Sequence, residues 1–149
     1  MNDLDAIFAP ETIAVIGAST KKGKVGHDIF ANILSGGYTG TLYPVNPKSK
    51  SVLSVKCYTS ISAIPDPIDL GMIILPPRAA LGAVKDCIAK GVKGIVIVSA
   101  GFKEVGGEGA DIEKEIKTLC AGANVRLVGP NCLGVINPSP KVSLNASFS

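Results

Sequence analysis

Ile13-Ala14-Val15-Ile16-Gly17, an apolar run that stops at a glycine, is the stretch on which the fold turns. Four consecutive apolar residues leave no polar face, so the strand they form must be buried on both sides. Such a strand belongs inside a parallel sheet covered by helices, and the segments that follow agree. Over Val25–Ser35, Ile29, Phe30, Ile33 and Leu34 recur at helical spacing, and Gly36-Gly37 ends the pattern. Thr41–Val45 reads as a second strand, with Pro44 pointing to a sheet edge that lacks a donor. Residues 68–75 form the third strand after the Pro65-Asp66-Pro67 break. Pro76-Pro77 then opens a helix whose stripe is Ala80, Val84, Cys87 and Ile88, closed by Gly91. Residues 94–98 are a fourth strand. A loop with Gly101, Gly106, Gly107 and Gly109 leads to a helix carrying Ile112, Ile116, Leu119 and Cys120, and residues 125–128 are a fifth strand. Strands alternating with helices require crossover connections, which gives an α/β class: a Rossmann-like doubly wound parallel sheet. The tail over 137–149 shows no strong pattern.

A chain of 149 residues suits a single domain, here 1–149. At 46% hydrophobic and 18% charged it is too apolar for disorder, while 5% aromatics and no Trp leave Val, Ile, Leu and Ala to build the core. No apolar run approaches the ~20 residues that span a bilayer. The acidic start Met1-Asn2-Asp3-Leu4-Asp5 is not a signal peptide, so a soluble, cytoplasmic protein without membrane contact is expected. A net charge of +3 is too mild for a nucleic-acid binder. The charge is uneven, however: between Lys21 and Lys56 stand six lysines and one acid, Asp28. Cysteines at 57, 87, 120 and 132 form no CxxC, and His27 is the single histidine, so neither a zinc site nor a disulfide framework is expected. Cys87 and Cys120 fall on apolar helix stripes and read as small core residues.

In an open parallel sheet, ligands bind beyond the carboxyl ends of the strands. Five loops lie there, at 17–26, 46–50, 75–78, 99–103 and 129–134, each rich in Gly, Pro, Ser, Asn or Lys. The first joins a strand to a helix N-terminus, where backbone N–H groups and the helix dipole favour an anion. It is not a Walker A loop, because five residues separate Gly17 from Gly23-Lys24 and Val25 stands where Ser or Thr is required. Nor is it G-x-G-x-x-G, since Ser19 and Lys22 occupy the other glycine positions. After the second strand, Asn46-Pro47-Lys48-Ser49-Lys50 has lysines where an NAD site would carry an acid for the ribose 2′-hydroxyl. Those lysines suit a phosphorylated ribose, as in NADP or coenzyme A; a solvated lysine loop is the plainer reading.

Five motifs in order carry a family resemblance: Ile13-Ala14-Val15-Ile16-Gly17-Ala18-Ser19, Tyr43-Pro44-Val45-Asn46-Pro47-Lys48, Ile64-Pro65-Asp66-Pro67-Ile68-Asp69-Leu70, Val98-Ser99-Ala100-Gly101-Phe102-Lys103-Glu104 and Gly129-Pro130-Asn131-Cys132-Leu133-Gly134. Together they resemble the CoA-binding domain of the nucleoside-diphosphate-forming acyl-CoA synthetases, the superfamily of the succinyl-CoA synthetase α subunit. The chain looks most like the ADP-forming acetyl-CoA branch. The resemblance implies a CoA site along the rim already identified. Ser19, Thr20, Lys21 and Lys22, between Gly17 and Gly23, would line the CoA phosphates, and Lys48 or Lys50 would meet the 3′-phosphoadenosine end. Leu75-Pro76 and Val98-Ser99-Ala100 would flank the nucleotide and pantetheine arm, with Asn131-Cys132 towards the thiol.

The same resemblance implies a role as the N-terminal part of a longer acid–thiol ligase. There this domain would position the CoA thiol for attack on an acyl phosphate, its partners being phosphohistidine and ATP-grasp domains that this chain lacks. His27 would either touch a ligand phosphate or sit half-exposed on its helix without a role. Other readings are a stand-alone CoA-binding protein and a regulatory CoA-binding domain of a protein lysine acetyltransferase. An NADP-binding oxidoreductase domain ranks last, because nothing in the sequence supplies a hydride-acceptor site.

Overall fold

The computed structural model describes residues 4–148. Met1, Asn2 and Asp3 of the acidic start lie outside the described residues, as does Ser149. Along the chain run a one-turn helix α1 (Asp5–Phe8), β1 (Thr12–Ile16), α2 (Val25–Ser35), β2 (Thr41–Val45), the short strands β3 (Ser51–Val52) and β4 (Val55–Lys56), and a 3₁₀ turn over Ile61–Ala63. Then come β5 (Leu70–Ile73), α3 (Pro77–Lys90), β6 (Gly94–Ile97), α4 (Gly107–Gly122), β7 (Arg126–Val128), β8 (Gly134–Asn137) and β9 (Leu144–Ser147). Five strands form a parallel sheet in the order β2-β1-β5-β6-β7.

The apolar runs of β1, β5 and β6 are explained by where the alternating side chains go. Ala14, Ile16, Ile73, Ile95 and Ile97 face one way, against Ala80, Val84 and Cys87 of α3 and Ile112, Ile116 and Cys120 of α4. Ile13, Val15, Leu70, Met72 and Val96 face the other way, against Ile29, Phe30 and Ile33 of α2. Both faces are therefore dry, as a parallel sheet demands. Cys87 and Cys120 are buried in the first of these cores, as their place on the helix stripes suggests.

Pro44 does lie in an edge strand, β2. Beyond it the chain returns, and the Tyr58 N–H donates to Pro44 O at 3.0 Å while the Asn46 N–H donates to Tyr58 O at 3.0 Å. A single parallel bridge between Val45 and Tyr58 results.

The tail has more order than its sequence pattern suggests. β8 and β9 pair as an antiparallel hairpin that lies on α2, with Val135, Leu144 and Ala146 turned into the core. Asn32 Nδ2 of α2 donates to Ser147 O at 2.7 Å, and Thr39 Oγ1 donates to Lys141 O at 2.8 Å. The hairpin thus supplies the outer cover of one sheet face beside α2.

One buried charge ties α4 to the loop before it. Glu113 accepts from the Lys103 N–H at 3.1 Å and pairs with Lys117 Nζ at 2.8 Å. The Lys117 contact holds its carboxyl below the ordinary carboxylate range against the cost of burial. A lowered folded-state pKa contributes stability above the unfolded carboxylate pKa and loses it as the pH falls. Glu113→Gln is expected to cost about 1 kcal/mol at neutral pH. Its gap to the unmodified chain should narrow as acid is added; melting curves across the carboxylate range that keep the gap constant would contradict this assignment.

Candidate functional site

The strand order reverses around β1, with β2 on one side and β5 on the other, so the loops after β1 and β5 leave the sheet towards opposite faces. A crevice opens at such a switch point in doubly wound sheets. Here it is a cleft of about 560 Å³ at the carboxyl ends of β1, β2 and β5.

Glycine is needed at the bottom of this cleft. Gly17 has φ +100°, and a Cβ there would stand 2.2 Å from Ile74 O. The backbone therefore lies directly on the end of β5, while the Gly17 N–H donates to Val45 O at 3.1 Å. The first turn of α2 is pressed against the same loop, since a Cβ on Gly26 would stand 2.0 Å from Gly17 O. Asn46 ties the two neighbouring loops together: its Nδ2 donates to Ala18 O at 2.8 Å and its Oδ1 accepts from the Lys48 N–H at 2.8 Å.

One wall of the cleft was not anticipated from sequence. It is the α3 face made by Ala79, Gly82, Ala83 and Asp86, with Thr59, Ser60 and Ile61 opposite. A signal was present: positions 79, 82, 83 and 86 fall at i, i+3, i+4 and i+7, a second helical stripe of small residues beside the core stripe. Nothing in the 57–61 segment had marked it as part of a site.

A second recess of about 350 Å³ continues along the rim, with Ile74 common to both. Ser99 Oγ donates to Leu75 O at 2.6 Å, and the Asn131 N–H donates to Ser99 O at 2.9 Å, so the loops after β5, β6 and β7 are stitched in sequence. Gly129 repeats the device of Gly17, because a Cβ there would stand 2.1 Å from Ile97 O. The Cys132 thiol points inward and donates to the same oxygen at 3.3 Å. Burial pushes that thiol above its ordinary pKa, which makes it a poor nucleophile.

Of the residues singled out from sequence, Gly17, Ser19, Lys48 and Leu75 line the cleft, and Val98, Ser99, Ala100, Asn131 and Cys132 line the second recess. Thr20, Lys21, Lys22, Gly23, Lys50 and Pro76 line neither; they stand exposed on the rim. His27 differs from one of its expected placements, the half-exposed one. It is 6% exposed, not half-exposed, and its Nδ1 lies 2.9 Å from Ser19 O. The partner sits eight residues earlier in a loop, where helical periodicity gives no warning of it.

Comparison with known proteins places the chain in a family. The family profile described as a CoA binding domain matches residues 11–138. ADP-forming acetate–CoA ligase I of Archaeoglobus fulgidus is 44% identical over 146 residues, which is 98% of this chain and 21% of that protein. ADP-forming 4-hydroxybutyrate–CoA ligase of Nitrosopumilus maritimus is 42% identical over 142 residues, 95% of this chain and 20% of that protein. The dinucleotide forming acetyl-coenzyme A synthetase 1 of Ca. Korarchaeum cryptofilum, solved in complex with phosphate and ADP, superposes with a TM-score of 0.90 at 40% identity. That match covers 99% of this chain and 31% of the other. The chain thus spans about a fifth of the length of these curated relatives. No helix among the described residues is long and apolar enough to cross a membrane. With the profile spanning 11–138 and identity above two-fifths along nearly the whole chain, this chain belongs to the CoA-binding domain family.

Proposed function

We propose that this chain holds coenzyme A, as a substrate, for an ADP-forming acyl-CoA synthetase of acetyl-CoA type. The supporting observation is the pair of recesses joined at Ile74 along the carboxyl edge of the sheet. From the loop after β2 to the loop after β7 the edge crosses four inter-strand gaps, ~19 Å at ~4.8 Å each. An elongated ligand with one charged end and one neutral end fits that path. Lys48 marks the charged end, and Ser99, Ala100 and Cys132 mark the neutral one.

In this reading the adenine lies on the apolar shelf of Leu75, Ala79 and Ala83, and the 3′-phosphate meets Lys48. The diphosphate follows the loop after β1, with Lys21 and Lys22 on the rim, and the pantetheine arm crosses Ile74. The thiol ends at Asn131-Cys132. When it attacks an acyl phosphate, the sulfur–carbon bond forms, the carbon–oxygen bond to the phosphate breaks, and inorganic phosphate leaves with the thiol's proton. The domain's contribution is to hold the nucleophile in place. Phosphohistidine and ATP-grasp domains of the same synthetase, in a cytoplasmic setting, supply the acyl phosphate.

Calorimetry tests the reading. CoA is expected to bind, dephospho-CoA about tenfold more weakly for want of one charge-assisted contact, and NADP more weakly than either. Lys48→Ala should bring CoA down to the level of dephospho-CoA, and added salt should weaken CoA by screening the exposed lysines. NADP binding as tightly as CoA would overturn the proposal.

A second measurement addresses the other end. CoA should slow alkylation of Cys132, which lines the recess, and leave the rate at Cys57, which lines neither recess, nearly unchanged. Cys132→Ser should leave CoA affinity almost intact. Unaltered labelling of Cys132 in saturating CoA would show that the thiol lies elsewhere.

A further inference from the structure

His27 is the third residue of α2 and lies buried beneath the loop that follows β1. Its Nδ1 is 2.9 Å from Ser19 O. A carbonyl oxygen can only accept, so the proton of this bond is on Nδ1. The Ser19–Thr20 peptide is trans, and in a trans peptide the C=O and the N–H point in opposite directions. A Ser19 carbonyl drawn down to α2 therefore sends the Thr20 N–H outward, away from the helix.

The neighbouring groups of the loop are already engaged. Ala18 O accepts from Asn46 Nδ2 at 2.8 Å, and the Lys21 N–H donates to Ser19 Oγ at 3.1 Å. The Thr20 N–H donates to no group among the described residues. It stands on an exposed residue beside Lys21 and Lys22, ahead of the positive end of the α2 dipole.

We propose that His27 is a positioning residue: by holding the Ser19 carbonyl inward it presents the Thr20 N–H to the diphosphate of the bound ligand. This inference rests on the CoA reading above. His27 itself touches no ligand in this arrangement; it acts through the peptide plane. Removing it would let the Ser19 carbonyl rotate outward, putting an oxygen where the anion meets a donor.

The test uses the chain as it stands, with CoA as the probe. His27→Leu keeps the packing but loses the donor, and CoA affinity should fall about tenfold. His27→Asn should retain most of the affinity, because its Nδ2 occupies nearly the place of the imidazole Nδ1. His27→Gln, whose amide reaches instead to the Nε2 place, should not; this Asn–Gln pair decides the matter if the leucine variant fails to fold. In ¹⁵N-labelled protein the Thr20 amide proton should move downfield on adding CoA in the unmodified chain and in His27→Asn, but not in His27→Leu. A chain that binds no CoA overturns the CoA reading and this inference with it. A chain that binds CoA with the Thr20 amide unmoved, or a folded His27→Leu that binds as tightly as the unmodified chain, overturns this inference alone.

Discussion

Gly17→Ala is expected to destabilise the fold by about 3 kcal/mol, lowering the melting temperature by ~6–12 °C. Two costs combine. At φ +100° a side chain is strained by roughly 1–2 kcal/mol, and a Cβ 2.2 Å from Ile74 O forces the loop off the end of β5 at a further ~1–3 kcal/mol. Because the Gly17 N–H also bonds Val45 O, the displacement would be felt at β2 as well. Losing the close approach should cost CoA binding along with stability. A Gly17→Ala protein that melts within ~1 °C of the unmodified chain would mean that the loop has room the geometry does not show.

Gly82→Trp is expected to do the reverse: keep the fold and abolish CoA binding, with affinity falling more than ~100-fold. Nothing lies within 4 Å of a Cβ built on Gly82, so the α3 helix can accept a side chain there. Glycine in a helix interior is itself unfavourable by roughly 0.8–1.0 kcal/mol relative to alanine, so Gly82→Ala should raise stability by up to about that amount. The indole of Gly82→Trp, by contrast, would fill the cleft between α3 and the 59–61 segment, where the adenine is placed. Thermal melts and calorimetry on the same samples separate the two effects. Near-native affinity in a folded Gly82→Trp would move the adenine out of the cleft.

The sequence was most informative where residues are apolar on both faces. β1, β5 and β6 could be placed from their apolar runs, and α2 and α3 from glycine and proline stops that match their ends within a residue or so. β8 and β9 escaped because each has only four residues, too few for period-two alternation to stand out, although Leu144 and Ala146 do point inward while Asn145 does not. Lysines had a similar limit. A loop composition says that Lys21, Lys22 and Lys50 are on the rim, but not that Lys48 lines the cleft. The small stripe at Ala79, Gly82 and Ala83 stands at helical spacing too, but the helix was placed on its apolar stripe of Ala80, Val84, Cys87 and Ile88, and small residues give no apolar or charged signal of their own. The half-exposed placement of His27 failed because its partner, a backbone carbonyl, has no residue type to read.

The Pro44–Tyr58 contact at the margin of the sheet bears on self-association. An uncovered strand edge offers a ladder of donors and acceptors on which a second molecule's strand can add. At β2 one donor is missing, because proline has none, and the Pro44 carbonyl is already taken by the Tyr58 N–H. The opposite margin, β7, is three residues long. A chain built this way resists fusing sheet to sheet with its copies even when crowded, so concentrated preparations should remain dispersed without the help of a large net charge.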